Sequence, residues 1–215
     1  MHEEVLNVSE TFLSIQGEST FTGLPCFFIR LAGCNLRCHY CDTRYAYEEE
    51  GYREGIGRLV SMALDSRLRL VEITGGEPLL QEHSLLLIKE LCNRGFTVLV
   101  ETNGSRDISP VDPRAVIILD VKTPGSGFSE MMDLENLKRL RPHDEVKFVI
   151  TDRADYDWTK ALLERYNLHG PRVLLSPAKG YLKPQKLSEW IIMDRLDVRL
   201  NLQIHKIIFG DRRGV

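Results

Sequence analysis

The chain has little cysteine, five residues among 215, and no apolar run near the ~18 residues that a membrane-spanning helix needs. Nor does it carry an excess of positive charge. Its 28 Lys and Arg are outnumbered by 31 Asp and Glu, giving a net charge of −3. That balance removes any whole-chain electrostatic reason to expect nucleic acid or an acidic membrane surface as partner. No internal repeat, low-complexity tract or Pro/Gly/Ser linker divides the sequence, so residues 1–215 are expected to form one domain. A domain of this length can bury roughly 70% of its unfolded surface, enough for a substantial core. The first residues, Met1-His2-Glu3-Glu4-Val5, lack the basic and apolar regions of a secretory leader. The expected location is therefore the cytoplasm, where cysteines are more often metal ligands or catalytic groups than disulfides.

What cysteine there is lies concentrated. Cys34, Cys38 and Cys41 fall in one short loop, Gly33-Cys34-Asn35-Leu36-Arg37-Cys38-His39-Tyr40-Cys41-Asp42-Thr43. Three thiolates so spaced can face a common point, and soft sulfur ligands select iron-sulfur clusters or zinc over hard cations. Structural zinc is normally closed by four protein ligands, whereas a four-iron cluster on three cysteines keeps one iron open. The spacing alone leaves three readings standing: such a cluster, a zinc knuckle that borrows His39 or a distant histidine, or three reduced thiols. Cys26 and Cys92 stand apart in apolar settings and read as buried thiols.

The remainder alternates. Apolar stretches of strand length occupy 26–32, 70–74, 97–101, 116–120, 145–150, 172–176 and 199–204, several of them rich in Val and Ile as buried parallel strands are. Between them, Ile56, Val60, Ala63 and Leu64 form one helical stripe, Trp158, Ala161 and Leu162 a second, and Leu187, Trp190 and Ile191 a third. Residues 85–92 form a more uniformly apolar helix. Both tryptophans read as core and receive no functional role. This pattern predicts an α/β fold, a parallel sheet curled into a full or partial barrel. Residues 11–23 are expected to be a loop laid over one end of the sheet. Residues 123–132, with Pro124-Gly125-Ser126-Gly127, form a long connection of the kind that often carries function.

Polar residues recur where the predicted strands end: Gly75-Gly76-Glu77-Pro78, Glu101-Thr102-Asn103-Gly104, Asp120-Val121-Lys122, Ser176-Pro177, and Gln203 and His205 on the last strand. In a parallel barrel these ends share the face where active sites are built, and the cysteine loop opens there too. Gly75 and Gly76 suit close backbone approach to a ligand, although Gly-Gly by itself is a turn. Beside the cysteine loop, Glu77 becomes a candidate acceptor for a ligand ammonium. Arg30 interrupts the apolar strand 27–32; buried, it needs an anionic partner, and its fork suits a carboxylate. Strand alternation equally allows it to face solvent. Gln16 and Glu18 can hydrogen-bond a polar heterocycle, and Thr43 offers a hydroxyl to a hard cation such as magnesium. Lys179, His83, His143 and His169 receive no role.

With these residues on view, Cys34-x3-Cys38-x2-Cys41 preceded by an aromatic Tyr40, and the Gly75-Gly76-Glu77-Pro78 turn, resemble the radical S-adenosylmethionine superfamily. Ser14-Ile15-Gln16-Gly17-Glu18, Cys41-Asp42-Thr43, Glu101-Thr102-Asn103-Gly104, Asp120-Val121-Lys122 and Gln203-x-His205-Lys206 narrow the resemblance to its 7-carboxy-7-deazaguanine synthase family, over nearly the whole chain. The resemblance implies a modified partial barrel, a homodimer and a carbon-nitrogen lyase of queuosine and 7-deazapurine biosynthesis. Its reaction is a magnesium-assisted ring contraction of 6-carboxy-5,6,7,8-tetrahydropterin to 7-carboxy-7-deazaguanine, with loss of ammonia. One electron, from a donor such as flavodoxin, passes through a [4Fe-4S] cluster and cleaves S-adenosylmethionine. The resulting 5'-deoxyadenosyl radical takes hydrogen from the pterin and later returns it.

Carried over by position, Cys34, Cys38 and Cys41 hold the cluster. Tyr40, Asp42, Gly75, Gly76, Glu77, Asp120, Lys122 and Ser176 line the S-adenosylmethionine site. Ile15, Gln16, Gly17, Glu18, Arg30, Thr74 and His205 hold the pterin, and Thr43 binds magnesium. No side chain is required as base for the radical step. Three departures stand out. Ser19 replaces a frequent glycine, Tyr40 a frequent tryptophan, and the C-terminus, Phe209-Gly210-Asp211-Arg212-Arg213-Gly214-Val215, lacks proline. The rival expectations are a glycyl-radical enzyme activase, which shares the cysteine loop and the glycine turn, and a non-enzymatic zinc or electron-transfer module.

Overall fold

The computed structural model describes residues 4–215; Met1, His2 and Glu3, part of the segment read above as lacking a leader, lie outside the described residues. Among the described residues nine strands form one sheet: β1 (Val5–Ile15), β2 (Pro25–Leu31), β3 (Tyr52–Gly55), β4 (Leu70–Gly75), β5 (Thr97–Thr102), β6 (Val116–Val121), β7 (Glu145–Ile150), β8 (Val173–Pro177) and β9 (Arg199–Leu200). The helices are α1 (Tyr45–Glu48), α2 (Ile56–Asp65), α3 (His83–Asn93), α4 (Asn136–Arg139), α5 (Arg153–Tyr166), α6 (Pro184–Asp194) and α7 (Ile204–Phe209). Strand order is β3-β1-β2-β4-β5-β6-β7-β8-β9. From β2 to β9 every neighbouring pair is parallel, while β1 pairs antiparallel with both β2 and β3. The sheet is an open, partial barrel with β3 and β9 at its edges. Among the described residues no helix is long and apolar enough to cross a membrane.

Period-two alternation divides the sheet into two unlike faces. On the convex side Ile29, Leu31, Val71, Ile73, Val98, Val100, Ile117, Leu119, Val146 and Phe148 pack with Leu59, Val60, Leu87, Leu91 and Leu163 of the helices. Trp158 and Trp190 pack onto the rim of this core, as expected of structural aromatics. Cys92 is buried in the same core, while Cys26 belongs to a smaller apolar layer inside the barrel with Phe28, Leu70, Leu99, Val116 and Ile118. The inner layer is the floor on which the polar strand ends stand. α5, the longest helix, begins where the Asp152 side chain accepts from Asp155 N and ends at Asn167 in the left-handed conformation.

Two expectations change. Residues 11–15 are not loop but the second half of β1, and the loop proper runs only from Gln16 to Leu24. The alternation of β1 is broken by a bulge: Val8 faces Leu31 but Glu10 faces Arg30, which leaves Ser9 as the extra residue. Leu6 and Val8 therefore point into the convex core, whereas Phe12 packs on the inner layer. A one-residue slip of this kind hides a strand from pattern reading. The expected last strand, 199–204, also shrinks to Arg199–Leu200, and His205 is carried by α7 instead. Residues 199–204 alternate apolar Leu200, Leu202 and Ile204 with polar neighbours, a strand-like period that runs on past the last paired residue.

Candidate active site

The strand ends and loops enclose a cavity of about 1050 Å³. Of the site residues expected from sequence, all but one line it: Cys34, Cys38, Cys41, Tyr40, Asp42, Thr43, Gly75, Gly76, Asp120, Lys122, Ser176, Ile15, Gln16, Gly17, Glu18, Arg30, Thr74 and His205. Glu77 is the exception. It is fully buried beneath the glycine turn, and its carboxylate accepts from Leu79 N at 2.9 Å, Thr102 Oγ1 at 2.8 Å and Asn103 N at 2.6 Å. With both oxygens engaged, Glu77 ties the end of β4 to the end of β5 and does not face a ligand.

The glycine pair is also tight against protein. A Cβ on Gly75, at φ +150°, would overlap Leu31 O, and one on Gly76 would overlap Gly33 O and approach Cys34 Cβ to 2.8 Å. Gly76 N donates to Leu31 O at 3.1 Å and Glu77 N to Gly33 O at 2.9 Å. The turn thus clamps the first residues of the cysteine loop.

Within that loop burial raises the Cys34 thiol and pushes Cys38 up to about 11, with Lys122 opposing the shift in both. Such thiols ionise when a metal centre supplies the compensating charge, so the donor set suits one. Among the described residues no three His, Cys, Asp or Glu side chains gather as ligands of a single metal ion. Sulfurs that each take a separate corner of a cluster need not converge so closely. His39 is exposed, lies against Gly127 and does not line the cavity, so it does not complete a zinc knuckle with the three sulfurs. Nearby, Tyr40 Oη and Asp120 Oδ1 are buried without a hydrogen-bond partner, polar groups of the kind a bound ligand satisfies.

The floor carries a charge network that the motifs did not disclose. Lys147, on β7 beside Asp120 of β6, donates to Glu18 Oε2 at 2.9 Å and to Glu101 Oε1, and lies 3.3 Å from Asp120 Oδ2. Lys122 meets the same Asp120 oxygen at 2.8 Å. Burial raises the Glu18 and Asp120 carboxyls, yet the lysines outweigh it and hold both below the usual carboxylate range. Glu72 goes the other way: burial, then Glu101 and Glu18, push its carboxyl well above that range. Gln16 Nε2 donates to its Oε2. A charged side chain inside a Val/Ile strand was the available signal for Glu72 and Lys147, the same signal that singled out Arg30.

Two segments close the basin from above. The Gln16–Leu24 loop crosses the inner face, held by Ser19 N on Asn201 Oδ1 at 2.9 Å and by Thr20 on the buried Glu145. Ser19 adopts φ +67°, the left-handed region that favours glycine. The C-terminal segment closes the other side. Gln203 Nε2 and Lys206 Nζ both donate to Asp42 Oδ2; burial raises this carboxyl, but Lys206 and Gln203 hold it down at about 2. A Cβ on Gly17 would overlap the His205 ring, so the glycine is what lets the two segments meet. The tail from Gly210 to Val215 lines the mouth despite having no proline.

Comparison with known proteins places the same residues in context. The Radical SAM superfamily matches residues 28–120. The chain is 44% identical to the 7-carboxy-7-deazaguanine synthase of Chlorobaculum tepidum, with 99% of each chain covered, and 42% identical to that of Koribacter versatilis, with 98% and 100% covered. Among solved structures it is similar to the crystal structure of QueE from Escherichia coli, with a TM-score of 0.75, 25% identity, and coverage of 93% of this chain and 94% of that one.

Proposed function

The chain belongs to the 7-carboxy-7-deazaguanine synthase family of radical S-adenosylmethionine enzymes, and from that membership we propose how its residues divide the work. The reaction is the ring contraction of 6-carboxy-5,6,7,8-tetrahydropterin to 7-carboxy-7-deazaguanine with release of ammonia. Neither a glycyl-radical activase nor a zinc or electron-transfer module is favoured by the relatives. The observation that carries the assignment of residues is that the three sulfurs, the glycine turn, the Gln16-Gly17-Glu18 loop and Arg30 open on one cavity.

When bound, the [4Fe-4S] cluster and S-adenosylmethionine supply the hydrogen-abstracting radical, and magnesium supplies positive charge beside the substrate. Cys34, Cys38 and Cys41 would hold the cluster through their sulfurs. Tyr40, Asp42, Gly75, Gly76, Asp120, Lys122 and Ser176 surround S-adenosylmethionine, with the unpartnered Tyr40 Oη and Asp120 Oδ1 free to bond it. Ile15, Gln16, Gly17, Glu18, Thr74 and His205 position the pterin, and Arg30 takes its carboxylate. The loop over the basin and the C-terminal segment keep water from the reacting carbon. The proposal further includes a flavodoxin-like electron donor, a second copy of the chain as partner, action of the 215 residues as one domain, and a cytoplasmic site of action.

Anaerobically reduced protein, supplied with 6-carboxy-5,6,7,8-tetrahydropterin, S-adenosylmethionine and magnesium, is expected to release 7-carboxy-7-deazaguanine and ammonia. A full cluster with no deazaguanine would overturn the reading. Thr43 begins the turn into α1, its carbonyl accepting from Ala46 N at 3.0 Å, while its hydroxyl lies 3.9 Å from Cys41 Sγ on the cavity wall. Thr43→Ala is expected to keep the cluster and to weaken the magnesium dependence of turnover by about 10- to 100-fold, the scale on which groups supporting a metal site act. An unchanged magnesium titration would remove Thr43 from that role.

A further inference from the structure

Glu10 does not line the cavity, yet three residues at its wall converge on it. Its Oε1 accepts from Arg30 Nε at 2.9 Å and from the Tyr45 hydroxyl at 2.8 Å, and its Oε2 accepts from Arg213 Nε at 3.2 Å. Glu10 and Arg30 are both about one-seventh exposed, so the pair is shielded enough for its geometry to matter. The Arg30 guanidinium is flanked by two rings, its Cζ 5.7 Å from the Phe12 centroid and 5.9 Å from that of Tyr45. Among the described residues no hydrogen bond from either terminal nitrogen of Arg30 is found. Glu10 takes Nε alone. Phe12 is itself stacked on Phe28, ring centroids 4.8 Å apart.

The Ser9 bulge is what makes this possible. Unbroken alternation would send Glu10 to the convex side with Leu6 and Val8, where a carboxylate would face the apolar core. The extra residue turns it inward, opposite Arg30. Bulges that re-aim a side chain recur beside active sites.

We infer that Glu10 is a positioning residue for substrate: by holding Arg30 through Nε it leaves the two terminal nitrogens as a bidentate fork for the carboxylate of the pterin. The inference rests on the proposed contact between Arg30 and that carboxylate, and deepens it. Without Glu10 the guanidinium keeps its charge but not its orientation, and a misaligned fork makes one hydrogen bond where two are available. The loss falls on recognition of the carboxylate group, not on the chemistry that follows.

Michaelis constants of the cluster-loaded enzyme for 6-carboxy-5,6,7,8-tetrahydropterin test this, together with inhibition constants for 5,6,7,8-tetrahydropterin, which lacks the carboxylate. Glu10→Ala is expected to raise KM by about 10- to 100-fold, the range for losing one hydrogen bond between charged groups, with kcat within about threefold and the inhibition constant unchanged. Glu10→Gln keeps an oxygen for Nε and is expected to restore KM to within about threefold of the parent. Arg30→Ala is expected to raise KM at least as far, and the Glu10→Ala/Arg30→Ala pair to match Arg30→Ala alone, because Glu10 acts through Arg30. Arg213→Ala removes the other guanidinium on Glu10 and is expected to raise KM less than Glu10→Ala does. If Arg30→Ala raises KM and Glu10→Ala does not, or if their effects add, the inference is overturned while the Arg30 contact stands. Should Arg213→Ala reproduce the full rise, Glu10 acts on the tail and the inference also falls. An Arg30→Ala enzyme with normal KM would sink the carboxylate contact itself. A Glu10→Gln enzyme that folds, holds its cluster and behaves like Glu10→Ala would likewise refute positioning through the Nε bond.

Discussion

A Lys147→Met variant is expected to be about 3–5 kcal/mol less stable than the parent at pH 7, measured as a shift of the urea midpoint at constant slope. Methionine keeps most of the stem volume, so the loss reports charge and not a cavity. The side chain is only 6% exposed and faces Glu18, Glu101 and Asp120 together. Against the 5–15 kcal/mol typical of a folded domain, that is a large fraction. The pH dependence should reverse as well. In the parent the Glu18 and Asp120 carboxyls sit below their unfolded values, near 4.5 and 3.8, so the stability they contribute is present above those values and lost as pH falls through the folded ones. Lys147 is raised above its unfolded value of 10.5 despite burial, by Asp120, Glu101 and Glu18; its share is present below that pH and lost far on the alkaline side. With the lysine gone, burial and the Asp42 charge act on Glu18 against only the Gln203 hydrogen bond and lift it above its unfolded value. The folded variant then takes up protons that the unfolded chain does not, and its deficit narrows from pH 7 to pH 5. A variant within about 1 kcal/mol of the parent at pH 7, or a deficit that widens on acidification, would show that the three carboxylates do not depend on Lys147.

That network marks where sequence reasoning stopped. The seven parallel strands were legible because burial on both faces leaves near-continuous Val/Ile runs, and the cysteine loop and glycine turn because their chemistry fixes spacing. β1 was not, since the Ser9 bulge slips its pattern by one and its inner half mixes Glu10, Phe12 and Ser14 against a polar cavity. Lys147 and Glu72 belong to no motif; what identifies them is the need of a buried charge for a partner, and only the register shows that Asp120 lies opposite Lys147. Glu77 shows the reverse. Its place after the glycine pair suggested a ligand contact, but three donors from Leu79, Thr102 and Asn103 had already claimed it. Spacing reveals which residues can share a site, and packing decides which of them face it.

The glycine turn gives the second large effect: Gly76→Ala is expected to lower the iron bound after anaerobic reconstitution at least about tenfold and to destabilise the protein by about 1–3 kcal/mol. The added methyl overlaps the Gly33 carbonyl, a backbone atom held by the Glu77 N–H at 2.9 Å, and presses on Cys34 Cβ at 2.8 Å. A flexible side chain could swing away, but here the cysteine loop itself has to move. Moving it breaks the clamp between β4 and Gly33 and carries Cys34 out of line with Cys38 and Cys41. A three-thiolate site has no spare ligand, so displacement of one sulfur removes a corner. Gly57, on the exposed start of α2 with nothing within 4 Å of its missing Cβ, supplies the contrast. Gly57→Ala is expected to stabilise by about 0.4–1 kcal/mol through the unfolded chain and to leave iron content unchanged. If Gly76→Ala instead binds iron like the parent, the turn is not what holds the loop. The Gly33 carbonyl would then move clear of the methyl without carrying Cys34 with it.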